Sequence, residues 1–288
     1  MNKKQTVCVI GLGYVGLPLA LRCAEKEYAV LGLDLDKSKI DKINKGKSPI
    51  EEKFIRDRIT KHKIIASTDE KIISKADIII ICVPTPVDHK FYPDLRPVKG
   101  ASEMVARNMK NGALVILEST VNPGVSEEVV WPIFKKAGFK NGKNIHIAHC
   151  PERIDPGNPK WNVTNIPRVV GSFEKMGLSL AVNFYESIID GEIRPMKSIR
   201  AAEAVKIVEN SFRDINIAFV NELAKSFDNF GIDVKDVIEG ASTKPFAFMP
   251  HFPGCGVGGH CIPVDPYYLI ERAKEKGFDH KFLRTARE

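Results

Sequence analysis

Short apolar runs separated by amphipathic stretches open the chain. Residues 6–10, 29–33, 63–66, 77–83, 113–117, 145–148 and 168–170 read as strands, and several are continuously apolar rather than alternating. Continuous runs mark strands covered on both faces. With helical patterns between them, they predict an α/β architecture, a doubly wound parallel sheet over residues 1–195. The pattern then changes. Residues 198–230 carry Val205, Val208, Phe212, Ile215 and Phe219 at spacings of three and four, with Gly231 as a stop. This predicts one long helix with a buried apolar stripe, the founding element of an all-helical second domain over 196–288. Glu203, Lys206, Asn210 and Arg213 recur at three, four and three on a neighbouring stripe. Such a polar stripe is either a solvated face with helical ion pairs or one wall of a site.

The 288 residues suffice for two cores, since single cores stop growing at roughly 250–300 residues. With 43% hydrophobic and 27% charged residues, composition argues against disorder and fibrous repeats. The longest apolar run, 78–83, is far short of the roughly 20 residues a membrane helix needs. The start M-N-K-K-Q leads straight into a strand without a cleavage site, so a cytoplasmic location and no membrane partner are expected. The net charge of +7 comes from scattered residues. That distribution suits phosphate-bearing small ligands better than nucleic acid, which is not expected as a partner. Among six cysteines without paired spacing, Cys8 and Cys82 fall in strand patterns and Cys23 in a helical one, as small buried hydrophobes do.

Chemistry concentrates in two glycine-rich segments. G-L-G-Y-V-G, with Gly11, Gly13 and Gly16, follows the first strand and opens a helix, the context that lets backbone and helix N-terminus approach a pyrophosphate. Asp34 ends the second strand 18 residues past Gly16, where a carboxylate takes the ribose hydroxyls and favours NAD over NADP. Asp36 and Lys37 follow closely, so a lysine-assisted NADP mode stays open. A proline-rich loop over 84–97 follows the fourth strand at the edge where such sheets bind ligands. The second segment, G-C-G-V-G-G-H-C-I-P-V-D-P, contains Cys261. A purely structural cysteine has no need of glycines at 254, 256, 258 and 259. Zinc would require Cys261 with Cys255, His251 and His260, but H-x3-C-x4-H-C matches no usual ligand spacing, and no metal is expected. As a nucleophile beside a hydride acceptor, Cys261 captures an aldehyde as a hemithioacetal that can be oxidised again.

Taken in order, G-L-G-Y-V-G-L-P, V-P-T-P at 83–86, E-S-T-V-N-P-G at 118–124, C-P-E-R at 150–153, K-I-V-E-N-S-F-R-D at 206–214 and G-V-G-G-H-C-I-P-V-D-P closely resemble the UDP-glucose/GDP-mannose dehydrogenase family. The E-N-S-F-R-D and G-G-H-C forms, with His260 before the cysteine, resemble the branch that oxidises UDP-N-acetylglucosamine or UDP-N-acetylmannosamine. The resemblance implies a Rossmann-like NAD domain and a helical central domain that dimerises through helix 198–230. It also implies a third, UDP-binding domain, which is not expected within these 288 residues. It further implies four-electron oxidation of the sugar's 6-hydroxyl to a uronic acid, for polysaccharide precursor synthesis.

Roles follow by the same resemblance. Cys261 forms the thiohemiacetal and thioester. Lys206 and Asn210 hold the oxyanion, and Lys206 also assists proton transfer. Glu152 is the base for hydrolysis, Asp265 the lysine's partner, and Thr120 positions water or cofactor. Tyr14, Val15, Thr85 and Thr120 join the glycines and Asp34 around NAD, while Arg153, Arg213 and Gly258 meet the UDP-sugar along with Lys206 and Asn210. The residues themselves also allow plainer roles: a surface ion pair for Glu152, and helix caps for Thr120 and Asp265. Two other functions remain compatible with the sequence. One is a two-electron hydroxyacid or 6-phosphogluconate-type dehydrogenase, which needs no cysteine. The other is a cofactor-binding or dimerising fragment without turnover.

Overall fold

The apolar runs become strands of one sheet: β1 (Thr6–Ile10), β2 (Ala29–Leu33), β3 (Ile65–Ser67), β4 (Ile78–Ile81), β5 (Ala113–Leu117), β6 (Ile145–His149) and β7 (Arg168–Ser172). An eighth, β8 (Ile193–Pro195), was not expected. It is three residues long and buries only its first, so it offers no apolar run to read. The computed structural model describes residues 5–288 except 89–91, 155–157, 159, 260 and 261. The described strands lie in the order β3-β2-β1-β4-β5-β6-β7-β8.

Consecutive strand residues point to opposite faces. Val7, Val9, Ile78 and Ile80 enter one apolar cluster, while Cys8, Ile10, Ile79 and Ile81 enter the other. Helices α1 (Gly16–Glu25), α2 (Lys37–Asn44), α3 (Lys53–Ile59) and α6 (Lys175–Ile188) cover the first face. Helices α4 (Arg96–Asn108) and α5 (Trp131–Lys136) cover the second. This double covering is why the strands read as continuous apolar runs.

One pairing departs from the parallel sheet expected. β7 runs antiparallel to β6, with Ala148 opposite Ser172 and His149 opposite Gly171. A parallel return needs a crossover, usually helical. The described residues of 150–167 contain no helix, so the chain turns back on itself.

The chain divides into two compact units, Met1–Pro86 with Asp94–Lys206, and Val87–Pro93 with Ile207–Glu288. The expected long helix is unbroken as α7 (Ile199–Asp228), and the division falls within it. The second unit continues with α8 (Val234–Ser242), α9 (Asp265–Glu275) and α10 (Lys281–Arg287). Burial along α7 differs from expectation. Val208, Phe212 and Phe219 are exposed, whereas Glu203, Asn210 and Asp214 are buried. The polar residues are covered because each holds another segment. Glu203 accepts the amides of Gly124 and Ser126 at 2.6 and 2.8 Å, Asn210 donates to Asp265, and Asp214 accepts Arg287 Nη1 at 2.6 Å. No helix among the described residues is long and apolar enough to cross a membrane.

Candidate active site

In the first unit the parallel strands all end at one edge, and the loops leaving that edge carry most of the expected residues. The glycine loop follows β1, Asp34 follows β2, Thr85 lies beyond β4, Glu118–Thr120 follow β5, and Glu152 and Arg153 lie just beyond β6. The direction of chain progression reverses between β1 and β4, the switch point at which open α/β sheets place ligands.

The three glycines of the first loop serve different ends. Gly11 has φ +89°, and a Cβ there would lie 2.5 Å from the Cys82 carbonyl oxygen. A Cβ on Gly16 would lie 1.9 Å from the Gly11 carbonyl oxygen, so helix and loop pack too closely for any side chain. A Cβ on Gly13 would meet nothing within 4 Å. That open side is where backbone can approach a pyrophosphate, and α1 begins there with Val15 as an N-cap that offers no side-chain bond to its amides. Tyr14 is exposed beside it.

Asp34 is fixed to this loop. Its Oδ2 accepts the Leu12 amide at 2.8 Å and Lys39 Nζ at 2.7 Å, and its Oδ1 accepts the Asp36 amide at 3.0 Å. Burial opposes its ionisation, but Lys39 and the two amides outweigh that and hold the carboxyl below the usual carboxylate range. Asp36 is the N-cap of α2, accepting the Lys39 amide. The lysine that reaches the Asp34 carboxylate is therefore Lys39, not Lys37. If the ionised Asp34 takes the ribose hydroxyls, NAD is expected to bind at least about tenfold more tightly than NADP, roughly 1.4 kcal/mol. Equal affinities by calorimetry would remove Asp34 from this role.

Glu152 is buried rather than part of a surface ion pair. Its Oε1 accepts the amides of Arg153 and Ile154, each at 2.6 Å, and its Oε2 lies 3.0 Å from Arg168 Nη1. Arg168 is fully buried, and its Nη1 is also 3.5 Å from Oε2 of the fully buried Glu118. Tyr185 donates its hydroxyl to Glu118 Oε1. Burial raises the Glu118 pKa to about 7; Arg168 opposes the shift and Glu152 adds to it. Glu118, Arg168, Tyr185 and Lys39 were missed by sequence reasoning. Only Glu118 lay inside a motif that had been singled out.

Thr120 is half-buried and caps no helix: the next helical turn starts at Ser126, with Val125 at its N-cap. The Arg153 side chain donates to the Pro167 carbonyl at 2.9 Å. Lys206 is half-buried on α7.

In the second unit, Asn210 and Asp265 are both buried and joined by the amide hydrogen bond. Asp265 is the first residue of α9, one position inside the helix from the cap site held by Val264. About three turns beyond Asn210 on the same face of α7, Asn221 accepts the Gly254 amide at 2.9 Å, tying the second glycine-rich segment to the helix. Gly256, Gly258 and Gly259 have φ of +93°, +69° and +76°, a region that disfavours side chains. Gly258 and Arg213 are exposed. Cys261 lies outside the described residues.

A switch-point glycine loop, a helix N-terminus without a side-chain cap and a fixed carboxylate fit a dinucleotide, and together with the fold they define an NAD-binding α/β oxidoreductase. The chain matches the NAD binding domain of the UDP-glucose/GDP-mannose dehydrogenase family over residues 5–189 and the central domain over 200–288, and it belongs to that family. It is 37% identical to the UDP-N-acetyl-D-glucosamine 6-dehydrogenase of Pseudomonas aeruginosa, across 99% of this chain and 67% of that protein. A solved structure of the UDP-D-ManNAc dehydrogenase from Pyrococcus horikoshii superposes with a TM-score of 0.92 at 37% identity, over 98% of this chain and 67% of the other. A UDP-glucose dehydrogenase from Pyrobaculum islandicum gives a TM-score of 0.89 at 25% identity, over 99% of this chain and 67% of that one. The chain spans about two thirds of the length of the curated relatives it matches.

Proposed function

We propose that this chain takes part in the NAD-dependent oxidation of the 6-hydroxyl of a UDP-N-acetylhexosamine to a carboxylate, through a thiohemiacetal and then a thioester on Cys261. The observation that carries the reading is the gathering, at one sheet edge, of a loop shaped for a dinucleotide and of Glu152 on its buried guanidinium. The names of the relatives, UDP-N-acetyl-D-glucosamine and UDP-N-acetyl-D-mannosamine dehydrogenases, support the substrate class.

Gly11, Gly13, Tyr14, Val15, Gly16, Asp34, Thr85 and Thr120 would hold the cofactor in the domain over 1–195. NAD+ held there would supply the hydride acceptor for both oxidations. Lys206 takes the hydroxyl proton and, with the Asn210 amide, stabilises the oxyanion. Asp265 is the partner of Lys206 and also accepts the hydrogen bond of the Asn210 amide. The Cys261 thiolate adds to the aldehyde carbon, and loss of the second hydride leaves the thioester. Glu152 takes a proton from water as the water oxygen attacks the thioester carbon, and the C–S bond breaks to return the thiolate. Arg153, Arg213 and Gly258 contact the UDP-sugar. The exposed Val208, Phe212 and Phe219 of α7, in the helical domain over 196–288, support a homodimer. The product serves as a polysaccharide precursor made in the cytoplasm.

Reduction of NAD+ on addition of UDP-N-acetylglucosamine or UDP-N-acetylmannosamine tests the reading, and no reduction with either would overturn it. Lys206→Ala is expected to slow both oxidations by about 10²–10³-fold, because proton transfer and oxyanion stabilisation serve each. A rapid-quench experiment in which only one of the two steps slowed would contradict this role.

A further inference from the structure

Two carboxylates and one guanidinium share a buried site, at which only Glu152 keeps any side-chain exposure. Glu118 and Arg168 have no exposed side-chain surface, and Glu152 has 8%. A structural ion pair balances one charge with one, whereas this cluster with both carboxyls ionised holds an excess negative charge, an expensive arrangement in a buried place. The unsatisfied atoms indicate how the excess is removed. Glu118 Oε2 and Glu152 Oε2 both face Arg168 Nη1, and neither has a hydrogen-bond donor aligned on it. Both oxygens converge on that one guanidinium nitrogen, at 3.5 and 3.0 Å. A single proton between them satisfies both oxygens and leaves one negative charge opposite Arg168.

Tyr185 and three cysteines around the cluster carry no charge, and Arg153, next to Glu152, directs its guanidinium to the Pro167 carbonyl. Tyr185, on α6, is held far above its ordinary range by burial and donates to Glu118. The thiols of Cys23 on α1, Cys82 after β4 and Cys150 after β6 are pushed up by burial and stay protonated. Position matters as much as charge. The cluster sits where β5 and β6 end, on the edge that carries the dinucleotide loop, and the Glu152 amide donates to the Glu118 carbonyl at 3.4 Å.

We propose that Glu118 is a positioning residue for the hydrolytic base: with Arg168 and Tyr185 it makes Glu152 one half of a carboxyl pair that shares one proton. This rests on the reading of Glu152 as the base that activates water. The doubly ionised pair is the active form. The proton that Glu152 takes from water is then held by both carboxyls against Arg168, and it leaves when the pair ionises again. Burial moves the ionisation of Glu118 toward neutrality, the range in which a carboxyl can take up and release a proton at physiological pH.

The test is a carbon-13 titration of the glutamate side-chain carboxyls in the intact chain without substrate, alongside the pH dependence of turnover. In the wild type one carboxyl is expected to titrate near pH 7. In Glu118→Gln that titration disappears, and the acidic limb of the rate profile moves down by about one pH unit or more. In Tyr185→Phe, which removes a hydrogen bond favouring ionised Glu118, the midpoint moves up. Opposite shifts from two variants are not the outcome of a merely structural role. The proposal is overturned if no glutamate carboxyl titrates between about pH 6 and 8, or if the same midpoint persists in Glu118→Gln. Because the titration needs no substrate, failure of the pair is distinguishable from failure of the dehydrogenase reading, which shows as absence of NADH with the titration intact.

Discussion

Cys261→Ser is expected to abolish carboxylate formation, by on the order of 10³-fold or more, while NAD binding stays within about twofold of wild type. The argument is chemical. An alcohol gives up its first hydride to NAD+ without help from a thiol, provided a base takes the hydroxyl proton. The aldehyde that results has no suitable hydride donor geometry of its own; it must first become tetrahedral. Addition of sulfur supplies that geometry, and loss of the second hydride then gives a thioester, which water cleaves readily because thiolate is a good leaving group. A serine alkoxide is far harder to form, and an ester is a poorer electrophile than a thioester. The cofactor loop belongs to the other unit of the chain, 245 residues earlier in sequence, and its glycines and Asp34 are held by contacts among themselves. Loss of the thiol should leave those contacts unaltered. Mass spectrometry of the products and calorimetry with NAD+ check the two halves: unimpaired uronic acid formation contradicts the covalent route, and lost NAD binding contradicts the separation of roles.

Arg168→Ala is expected to destabilise the first unit by about 3–5 kcal/mol, read as a lower urea midpoint, because it leaves two buried carboxyls without their counter-charge. The double variant Arg168→Met/Glu118→Gln should recover part of the loss, since removing both members of a buried pair costs less than stranding one. The pH dependence has a definite sign. Glu118 has a folded-state pKa of about 7 against an ordinary value of 4.5, so the unfolded chain ionises first. Its contribution to stability is fully present below pH 4.5 and is lost as the pH rises through about 7. Glu118→Gln should remove that slope. A wild-type stability that rose over the same interval while the variant stayed flat would contradict the protonated, buried Glu118.

How much of this was open to reading from the sequence depends on how far apart the partners lie. The glycine loop and Asp34 were legible because the strand, turn and helix that position them are contiguous, and each glycine answers a local steric demand. The long helix was legible from its own periodicity. Which face it buries was not: Glu203, Asn210 and Asp214 are covered by segments from 79 residues before to 73 residues after them, and those distances leave no pattern in the helix itself. Lys39 was overlooked for Lys37 because its reach to Asp34 depends on Asp36 capping α2 and turning the first helical turn back over the strand end. The carboxyl pair was hidden by a strand direction. A parallel β7 would start at the opposite edge of the sheet. The antiparallel β7 observed, with its register to β6 continued three residues past the His149–Gly171 pair, sets Arg168 opposite Glu152. A single reversed strand thus delivers the guanidinium to the site.

The central claim is that one active site carries out both oxidations through a thioester. The most direct measurement is the number of NADH molecules formed per uronic acid released from UDP-N-acetylglucosamine or UDP-N-acetylmannosamine under single-substrate conditions. Two NADH per carboxylate, with no free aldehyde at any time, is the expected result; one NADH per sugar with the aldehyde as the released product would contradict it.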